Sequence, residues 1–243
     1  MRVTRVPVDQ PLAVGDTVAL PEEAAAHLVR VMRLQPGDSC TLFNGDGRDY
    51  QARLLAANKR GAEVEVVGSQ VVGNESTLRI LLLQGIARGE KMDWILQKAT
   101  ELGVAGFVPV ESERSEVRLD AARAGKRLAH WRNVVASACG QSGRARVPAV
   151  DAPQPLQAAL EALPAMPRFL LDPAATDSIA TMAPIADACV LAVGPEGGWS
   201  PRDRDMLQAA GFGGLRLGPR ILRTETAGIA AIAALQSRFG DLA

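Results

Sequence analysis

Over residues 1–72, apolar and polar positions alternate in short runs, a pattern typical of half-buried strands. Turn sequences of hairpin type, Asn44–Gly47 and Asn58–Gly61, separate some of these runs. A single helical stretch begins at Pro21 and ends before Pro36. The pattern predicts a small β-barrel with one helix, and its strands are expected at Thr17–Leu20, Ser39–Phe43, Tyr50–Ala56 and Ala62–Val67.

From about residue 78 the pattern changes, because apolar strands now alternate with helices. Strand–helix alternation predicts a mostly parallel sheet with helices on its two faces. The change falls near residues 72–75, so we expect domains over 1–72 and 73–243. The strands are expected at Leu78–Ile86, Val104–Val110, Arg168–Asp172, Cys189–Val193 and Phe212–Leu217, and the helices at 92–102, 120–139, 201–210 and 225–239.

Composition excludes several classes of protein. The 243 residues are 47% hydrophobic and 22% charged, which is ordinary for a globular chain. The longest apolar run, Ala227–Leu235, is far shorter than the roughly 20 residues that a membrane helix needs. The scattered cysteines and two histidines offer neither a disulfide framework nor a zinc spacing. With no apolar segment behind the first arginines, we expect a cytoplasmic protein without metal or membrane partner.

The net charge is zero, but it is unevenly distributed. Residues 114–146 carry eight basic and two acidic side chains. A local positive field binds polyanions even when the whole protein is neutral. Since 23 of the 27 basic residues are arginine, the alternatives are a compositional bias or arginines that bind phosphate. The sequence leaves both open.

A glycine-rich turn follows the apolar strand that ends at Val193. Gly194, Gly197 and Gly198 permit a close approach of the backbone to a ligand, and ligands bind at the carboxyl ends of parallel strands. Ser200-Pro201-Arg202-Asp203 predicts a capping box at the start of the next helix. The turn is therefore either a ligand site or an ordinary strand-to-helix connection.

A second loop, Leu217–Thr224, also follows a predicted strand. Arg220 and Arg223 flank two apolar residues in it, and Thr224 or Thr226 is expected to cap the final helix. The arginines are either solvated loop charges or part of the same ligand site. We favour the ligand site, because two glycine-bearing loops stand at the ends of what we expect to be neighbouring strands.

Several strings carry a family resemblance that spans nearly the whole chain: GPEGGWS, LGPRILRTETA, LQSRFGD, RGEKMDWILQKATELGV, ERSEVR, QSGR and MRVTR…HLVRVMRLQPGD. With them, the chain resembles the RsmE family, the 16S ribosomal RNA uridine-N3 methyltransferases of the SPOUT superfamily. One departure is Gly140, where the family usually has an acid directly before the QSGR segment.

The resemblance implies a PUA-like β-barrel that helps to bind RNA, followed by a SPOUT-type α/β domain with a C-terminal trefoil knot. It implies a homodimer that acts on 16S rRNA in the 30S subunit. It also implies S-adenosylmethionine bound against the loops Leu170–Pro173, Gly194–Gly198 and Leu217–Thr224. The expected cofactor-binding residues are Leu170, Leu171, Val193, Gly194, Pro195, Glu196, Gly197, Leu217, Gly218, Ile221, Leu222 and Thr224.

For the implied reaction, uridine N3 has to lose its proton before it becomes a nucleophile. Arg220 and Arg223 are the candidates to stabilise the uridine anion, and Glu225 is the candidate to orient one of them or accept the proton. The alternative is that Arg223 and Glu225 only pair with each other.

RNA binding is expected from arginines of both halves of the chain: Arg2, Arg5, Arg30, Arg33, Arg114, Arg118 and Arg144. Two other functions stay open at this point. One is a related SPOUT enzyme that acts on tRNA or on another nucleotide position. The other is an RNA-binding or ribosome-assembly protein whose methyltransferase domain is inactive.

Overall fold

A computed structural model describes residues 4–26, 28–29, 32–58, 61–117 and 120–242. Their contacts divide the chain into two compact units. The first unit contains residues up to Glu75 together with Ala136–Val147, and the second contains Ser76–Val135 with the residues from Pro148 onward. The domain boundaries expected from the sequence, 1–72 and 73–243, stay a prediction.

The first unit is built on one sheet with the strand order β1-β3-β4-β5-β2. Its elements are β1 (Arg5–Pro7), β2 (Thr17–Leu20), α1 (Glu22–Ala26), β3 (Ser39–Phe43), β4 (Arg48–Asn58) and β5 (Gly61–Val71). The register of β4 on β5 shifts between Gln51 and Ala52 and between Leu54 and Ala56. Such bulges increase the twist of a strand pair. Alternate side chains such as Leu42, Leu54 and Val64 form its apolar core.

Strands β2 and β3 have the predicted bounds, whereas β4 and β5 are longer than predicted. The predicted helix from Pro21 is seen as α1 and as helical backbone at Leu28 and Val29, and His27, Arg30 and Val31 lie outside the described residues. Strand β1 was not predicted, because three residues are too few to show a period.

The second unit is built on a sheet with the order β12-β10-β11-β6-β7-β8, and β9 also pairs with β7. Its strands are β6 (Arg79–Gly85), β7 (Gly106–Glu111), β8 (Ala149–Val150), β9 (Gln154–Pro155), β10 (Arg168–Leu171), β11 (Ala188–Val193) and β12 (Gly213–Leu215). Its helices are α2 (Glu90–Glu101), α4 (Leu156–Ala162), α5 (Pro201–Ala209), α6 (Thr224–Phe239) and the first part of α3 (Ala121–Ser142).

All strand pairs of this sheet are parallel, which confirms the predicted α/β class. Ile80, Leu82 and Leu83 of β6 are fully buried, as are Val190 and Leu191 of β11. Continuous apolar strands of this kind are expected where helices cover the two faces of a sheet. The carboxyl ends of β10, β11 and β12 consequently lie side by side at one edge.

Two helix ends agree with their sequence signals. Gly103, just after α2, has a φ of 85°, the left-handed conformation expected of a glycine that ends a helix. The capping box at the start of α5 is present, because Ser200 and Asp203 each accept a hydrogen bond from the backbone N–H of the other. Within the described part of the chain, no helix has the length and apolar character needed to cross a membrane.

Candidate active site

A cavity of about 370 Å³ lies where the loops after β10, β11 and β12 meet. Its volume falls within the range of roughly 300–1,000 Å³ for small-molecule sites. The sequence suggested that strands β11 and β12 are neighbours. This prediction is wrong, because β10 lies between them. Strand order cannot be deduced from chain order in a parallel sheet. The cavity is therefore built from three loops, and the middle one includes Asp172 and Pro173.

Most of the predicted cofactor-binding residues line this cavity, namely Leu171, Val193, Gly194, Pro195, Glu196, Leu217, Gly218, Ile221, Leu222 and Thr224. Two of the predicted residues are not among the lining residues. Leu170 is 6% exposed and belongs to the apolar core under the sheet. Gly197 packs against Arg114, whose Cβ would lie 3.1 Å from a Cβ added to the glycine. Which residues bind a cofactor stays a prediction.

Three charged side chains that were not among the predicted site residues also line the cavity, namely Lys91, Asp172 and Arg204, although Asp172 lies in the loop Leu170–Pro173 that the resemblance implied. Asp172 forms an ion pair with Arg204. Asp172 directly follows strand β10, so its position at the end of an apolar strand was a usable signal. Lys91 lies at the start of α2, and its sequence position gave no sign of proximity to the turn after β11.

Glu196 attaches the glycine-rich turn to the start of α2. Its Oε1 accepts hydrogen bonds from Lys91 Nζ at 2.9 Å and from the backbone N–H of Arg88 at 3.1 Å. The N-cap residue of α2 is Gly89, which has no side chain to cap the helix. Desolvation raises the pKa of the Glu196 carboxyl, but the bonds from Lys91 and the backbone outweigh it, so the pKa lies below its usual value.

The loop after β7 holds the same turn from another direction. Arg114 Nη1 donates to the carbonyl oxygen of Gly197 at 3.2 Å. The backbone N–H of Glu113 donates to the carboxylate of Asp203, at 3.3 and 3.4 Å from its two oxygens. Asp203 is 2% exposed. The segment that follows β11 is thus fixed by α2 and by the loop after β7.

The charges on the cavity wall fall into two groups. Lys91 pairs with Glu196, and Asp172 pairs with Arg204. Arg220, Arg223 and Glu225 have no ion pair among the described residues, and Glu225 Oε2 is buried without a hydrogen-bond partner there. The alternative in which Arg223 and Glu225 only pair with each other is therefore not what the structure has.

The predicted threonine cap of α6 is wrong. The N-cap residue is Arg223, which makes no side-chain capping bond, and Thr224 is the first helical residue. The Thr224 hydroxyl donates instead to the carbonyl oxygen of Gly194 at 2.5 Å. This contact joins residues that are 30 apart in sequence, so local signals do not reveal it.

The arginines predicted to bind RNA differ widely in their surroundings. Arg144 is 5% exposed and pairs with Glu75 at 2.6 Å, and Arg5 pairs with Asp49 in the interior of the first unit. We therefore leave these two out of the phosphate-binding set proposed below. Arg33 is exposed and has a φ of 58°. The predictions for Arg2, Arg30 and Arg118 lie outside the described residues.

The described residues contain no group of three or more His, Cys, Asp or Glu side chains that could hold a metal ion. The cavity, by contrast, offers a glycine-rich backbone wall, apolar side chains, the arginines Arg220 and Arg223, and Glu225, whose Oε2 is buried without a hydrogen-bond partner among the described residues. This combination fits a small, partly apolar ligand that also carries polar groups.

Comparison with family models assigns this fold to the RNA methyltransferases that carry a PUA domain. An RNA methyltransferase domain model matches residues 74–236, and an RNA methyltransferase PUA domain model matches residues 20–67. The chain belongs to the ribosomal RNA small subunit methyltransferase E family. The resemblance found in the sequence and the predicted SPOUT-type class with a PUA-like domain are confirmed, whereas the knot stays a prediction.

A family member from Buchnera aphidicola is 32% identical, and the alignment covers 99% of this chain and 98% of that one. The crystal structure of the enzyme from Neisseria gonorrhoeae, bound to S-adenosyl methionine, is 41% identical with a TM-score of 0.91 and full coverage of both chains. A Legionella pneumophila structure with bound SAM is 34% identical with a TM-score of 0.94, also over the full length of both chains.

Proposed function

We propose that this chain methylates N3 of a specific uridine in 16S ribosomal RNA, with S-adenosylmethionine as the methyl donor. Family membership supports the reaction class and the donor. The assignment of catalytic residues rests on one observation: some charged side chains on the cavity wall form ion pairs, and others do not. Arg220, Arg223 and Glu225 stay without ion pairs among the described residues, beside a cavity that fits the donor.

The proposed reaction needs both positive groups and a proton acceptor near the target base. Uridine N3 carries a proton at neutral pH, and its loss places negative charge on the uracil oxygens. Arg220 and Arg223 stabilise that charge, and Glu225 accepts the proton through its unpaired oxygen. The donor, when bound, supplies a methyl group on a positively charged sulfur. The target base has to leave its stack to reach such a cavity.

The cofactor is held by the loops that line the cavity. The backbone of Gly194, Pro195 and Gly218 and the apolar side chains of Leu217 and Leu222 supply the contacts. Backbone groups have fixed directions once the loops are fixed. They therefore bind a ligand without the conformational entropy that long side chains lose when they become ordered. Of the predicted set, Leu170 and Gly197 act only indirectly, through the core and through Arg114.

The test of the catalytic assignment is Arg220→Ala, assayed separately for cofactor binding, RNA binding and methyl transfer. We expect methyl transfer to fall by about 100-fold or more, the scale seen when one group that stabilises a developing anion is removed, with little change in cofactor binding. Arg216→Ala is the matched control, because Arg216 is exposed and does not line the cavity. Wild-type methyl transfer by Arg220→Ala overturns the assignment.

The substrate is tested with labelled S-adenosylmethionine and 30S subunits that lack the modification. We expect label on one uridine of 16S rRNA, identified as N3-methyluridine by mass mapping. Label on tRNA or at another nucleotide position identifies a related enzyme instead. Absence of cofactor binding identifies an inactive RNA-binding protein.

RNA binding is assigned to exposed basic side chains of each unit. Arg33 represents the first unit. In the second unit, Arg123, Lys126 and Arg127 are exposed at the spacing that places side chains on one side of a helix. Arg123 pairs with Asp120, but Lys126 and Arg127 have no ion pair among the described residues. Arg114 stays in the set, although its bond to Gly197 gives it a second role.

We further propose a homodimer, a C-terminal trefoil knot and a cytoplasmic location, as the family resemblance implies. The dimer has support in exposed apolar surface of the second unit. Trp94 is 58% exposed and Ile221 is 86% exposed, and the side of α6 that includes Ile229 and Ala233 is only partly buried. Sedimentation velocity tests it, and a monomer at micromolar concentration contradicts the dimer.

A further inference from the structure

We propose that Gln84 and Thr224 are positioning residues that lock together two loops of the cavity, Gly194–Gly198 and Leu217–Thr224. This inference rests on the proposed function, because it concerns the cofactor affinity of the same cavity. The sequence does not single out Gln84. It predicts Thr224 as a helix cap or as a residue that contacts the cofactor directly.

The lock is a short chain of hydrogen bonds between three elements. Gln84 lies near the end of β6 and is completely buried. Its Nε2 donates to Thr224 Oγ1 at 3.2 Å and to the carbonyl oxygen of Gly85 at 2.8 Å. Thr224 is 7% exposed, and its hydroxyl donates onward to the carbonyl oxygen of Gly194 at 2.5 Å. Strand β6, helix α6 and the turn after β11 are thereby joined at one point.

The position of Gly194 explains why this lock matters for a ligand. Gly194 is the first residue after β11, and the turn it opens contains further glycines, which lose much backbone freedom when they are ordered. The turn is also pressed against the end of β6, since a Cβ added to Gly85 would lie 2.5 Å from Pro195 Cδ. A fixed Gly194 carbonyl therefore fixes the direction of the backbone that faces the cavity.

Two local costs support a role beyond general stability. Helix α6 begins without a side-chain cap, because its N-cap residue is Arg223, and the hydroxyl of the next residue, Thr224, bonds to the other loop. Gln84 Oε1 is buried without a hydrogen-bond partner among the described residues, and a buried unpaired acceptor is unfavourable. An apolar side chain would avoid that cost but could not donate to Thr224. We infer that the donor function of the amide is what this position requires.

The experiment compares Thr224→Val with Thr224→Ser and with Thr226→Val. Valine keeps the shape and removes the hydroxyl, serine restores the hydroxyl, and Thr226 is an exposed threonine of the same helix that does not line the cavity. The Kd for S-adenosylmethionine is measured by calorimetry and the thermal unfolding of each variant by scanning calorimetry. Steady-state assays give KM for the cofactor and for RNA.

We expect Thr224→Val to raise the cofactor Kd and KM about 10-fold, the scale expected when one buried hydrogen-bond partner is removed. The KM for RNA should stay unchanged, Thr224→Ser should stay within about twofold of the parent, and Thr226→Val should match it. Gln84→Met should weaken cofactor binding in the same way, and the double variant should be weaker by less than the product of the single effects, because the two residues share one lock.

Unchanged cofactor affinity in a folded Thr224→Val variant overturns the positioning role. So does Thr224→Ser with the same defect as valine, or a double variant whose effect is the full product. These results leave the proposed function standing. Failure of the unmodified chain to bind S-adenosylmethionine overturns the proposed function, and the positioning role with it.

Discussion

Arg5→Met tests whether a predicted RNA-binding arginine is in fact a structural one. Arg5 pairs with Asp49, and its Nη1 donates to the carbonyl oxygens of Cys139 at 2.8 Å and Arg144 at 3.1 Å. Its guanidinium carbon also lies 4.7 Å from the centre of the Phe43 ring. Methionine keeps much of the side-chain volume, so the change removes the charge and the hydrogen bonds with little loss of packing.

The expected loss of stability follows from burial. The side chains of Arg5 and Asp49 are 9% and 15% exposed, so the change leaves a largely buried carboxylate unpaired. Breaking a buried ion pair costs about 3–5 kcal/mol, and we expect the lower end because some solvent reaches the pair. With about 4–8 °C per kcal/mol for a unit of this size, the melting temperature of the first unit should fall by roughly 12–24 °C.

Scanning calorimetry measures the change, and filter binding at several salt concentrations measures RNA affinity. Arg33→Met is the matched control, because Arg33 is exposed in the same unit. It should leave the melting temperature unchanged and weaken RNA binding. Combining Arg5→Met with Asp49→Asn should give a coupling energy of about 1 kcal/mol or more. If Arg5→Met melts like the parent but flattens the salt dependence of RNA binding, Arg5 binds phosphate and the structural interpretation is refuted.

Three further predictions concern the second unit and the thiols. Gly218→Val should weaken cofactor binding about 10-fold, as measured by calorimetry. Gly218 has a φ of 89°, a conformation that costs other residues about 1–2 kcal/mol. Gly73→Val is the control and should have no effect, because open space surrounds Gly73. Replacing Lys126 and Arg127 by glutamine should lower the slope of log affinity against log salt by up to about 2, and an unchanged slope would remove α3 from the RNA-binding surface. The native protein should resist iodoacetamide at pH 8, as read by mass spectrometry, and unfolding should restore reactivity. Burial raises the pKa of each thiol, to about 11, about 11 and about 12 for Cys40, Cys139 and Cys189.

Local periodicity was sufficient to predict many of the elements but not how they meet. Strands β2 and β3 and the capping box of Ser200 and Asp203 depend on neighbours in sequence, and the sequence predicted them. The position of β10 between β11 and β12 depends on which strands pair, and no residue pattern in a parallel sheet encodes that order. The site was therefore predicted from two loops, with the third supplied by resemblance.

Side-chain roles were harder to predict than side-chain positions. Arg5 and Arg33 look equivalent in the sequence, yet one is an interior ion pair and the other is exposed. The difference comes from Asp49 and from carbonyl groups more than 130 residues away. Thr224 was expected to cap α6, but it is the first helical residue and its hydroxyl contacts Gly194. Composition identifies which groups are present, but the choice of their partners is a property of the folded chain.

The first unit is formed by two separate segments of the chain. Its sheet comes from residues before Glu75, but Arg144, the partner of Glu75, lies just after the end of α3. Asn74 Nδ2 donates to the carbonyl oxygen of Gly143 at 2.9 Å, and the Gly47 N–H donates to that of Ala145 at 3.2 Å. A recombination event that transferred only the early segment would separate each of these pairs. The two segments are therefore expected to be inherited together, so this unit cannot spread between proteins as a simple N-terminal module.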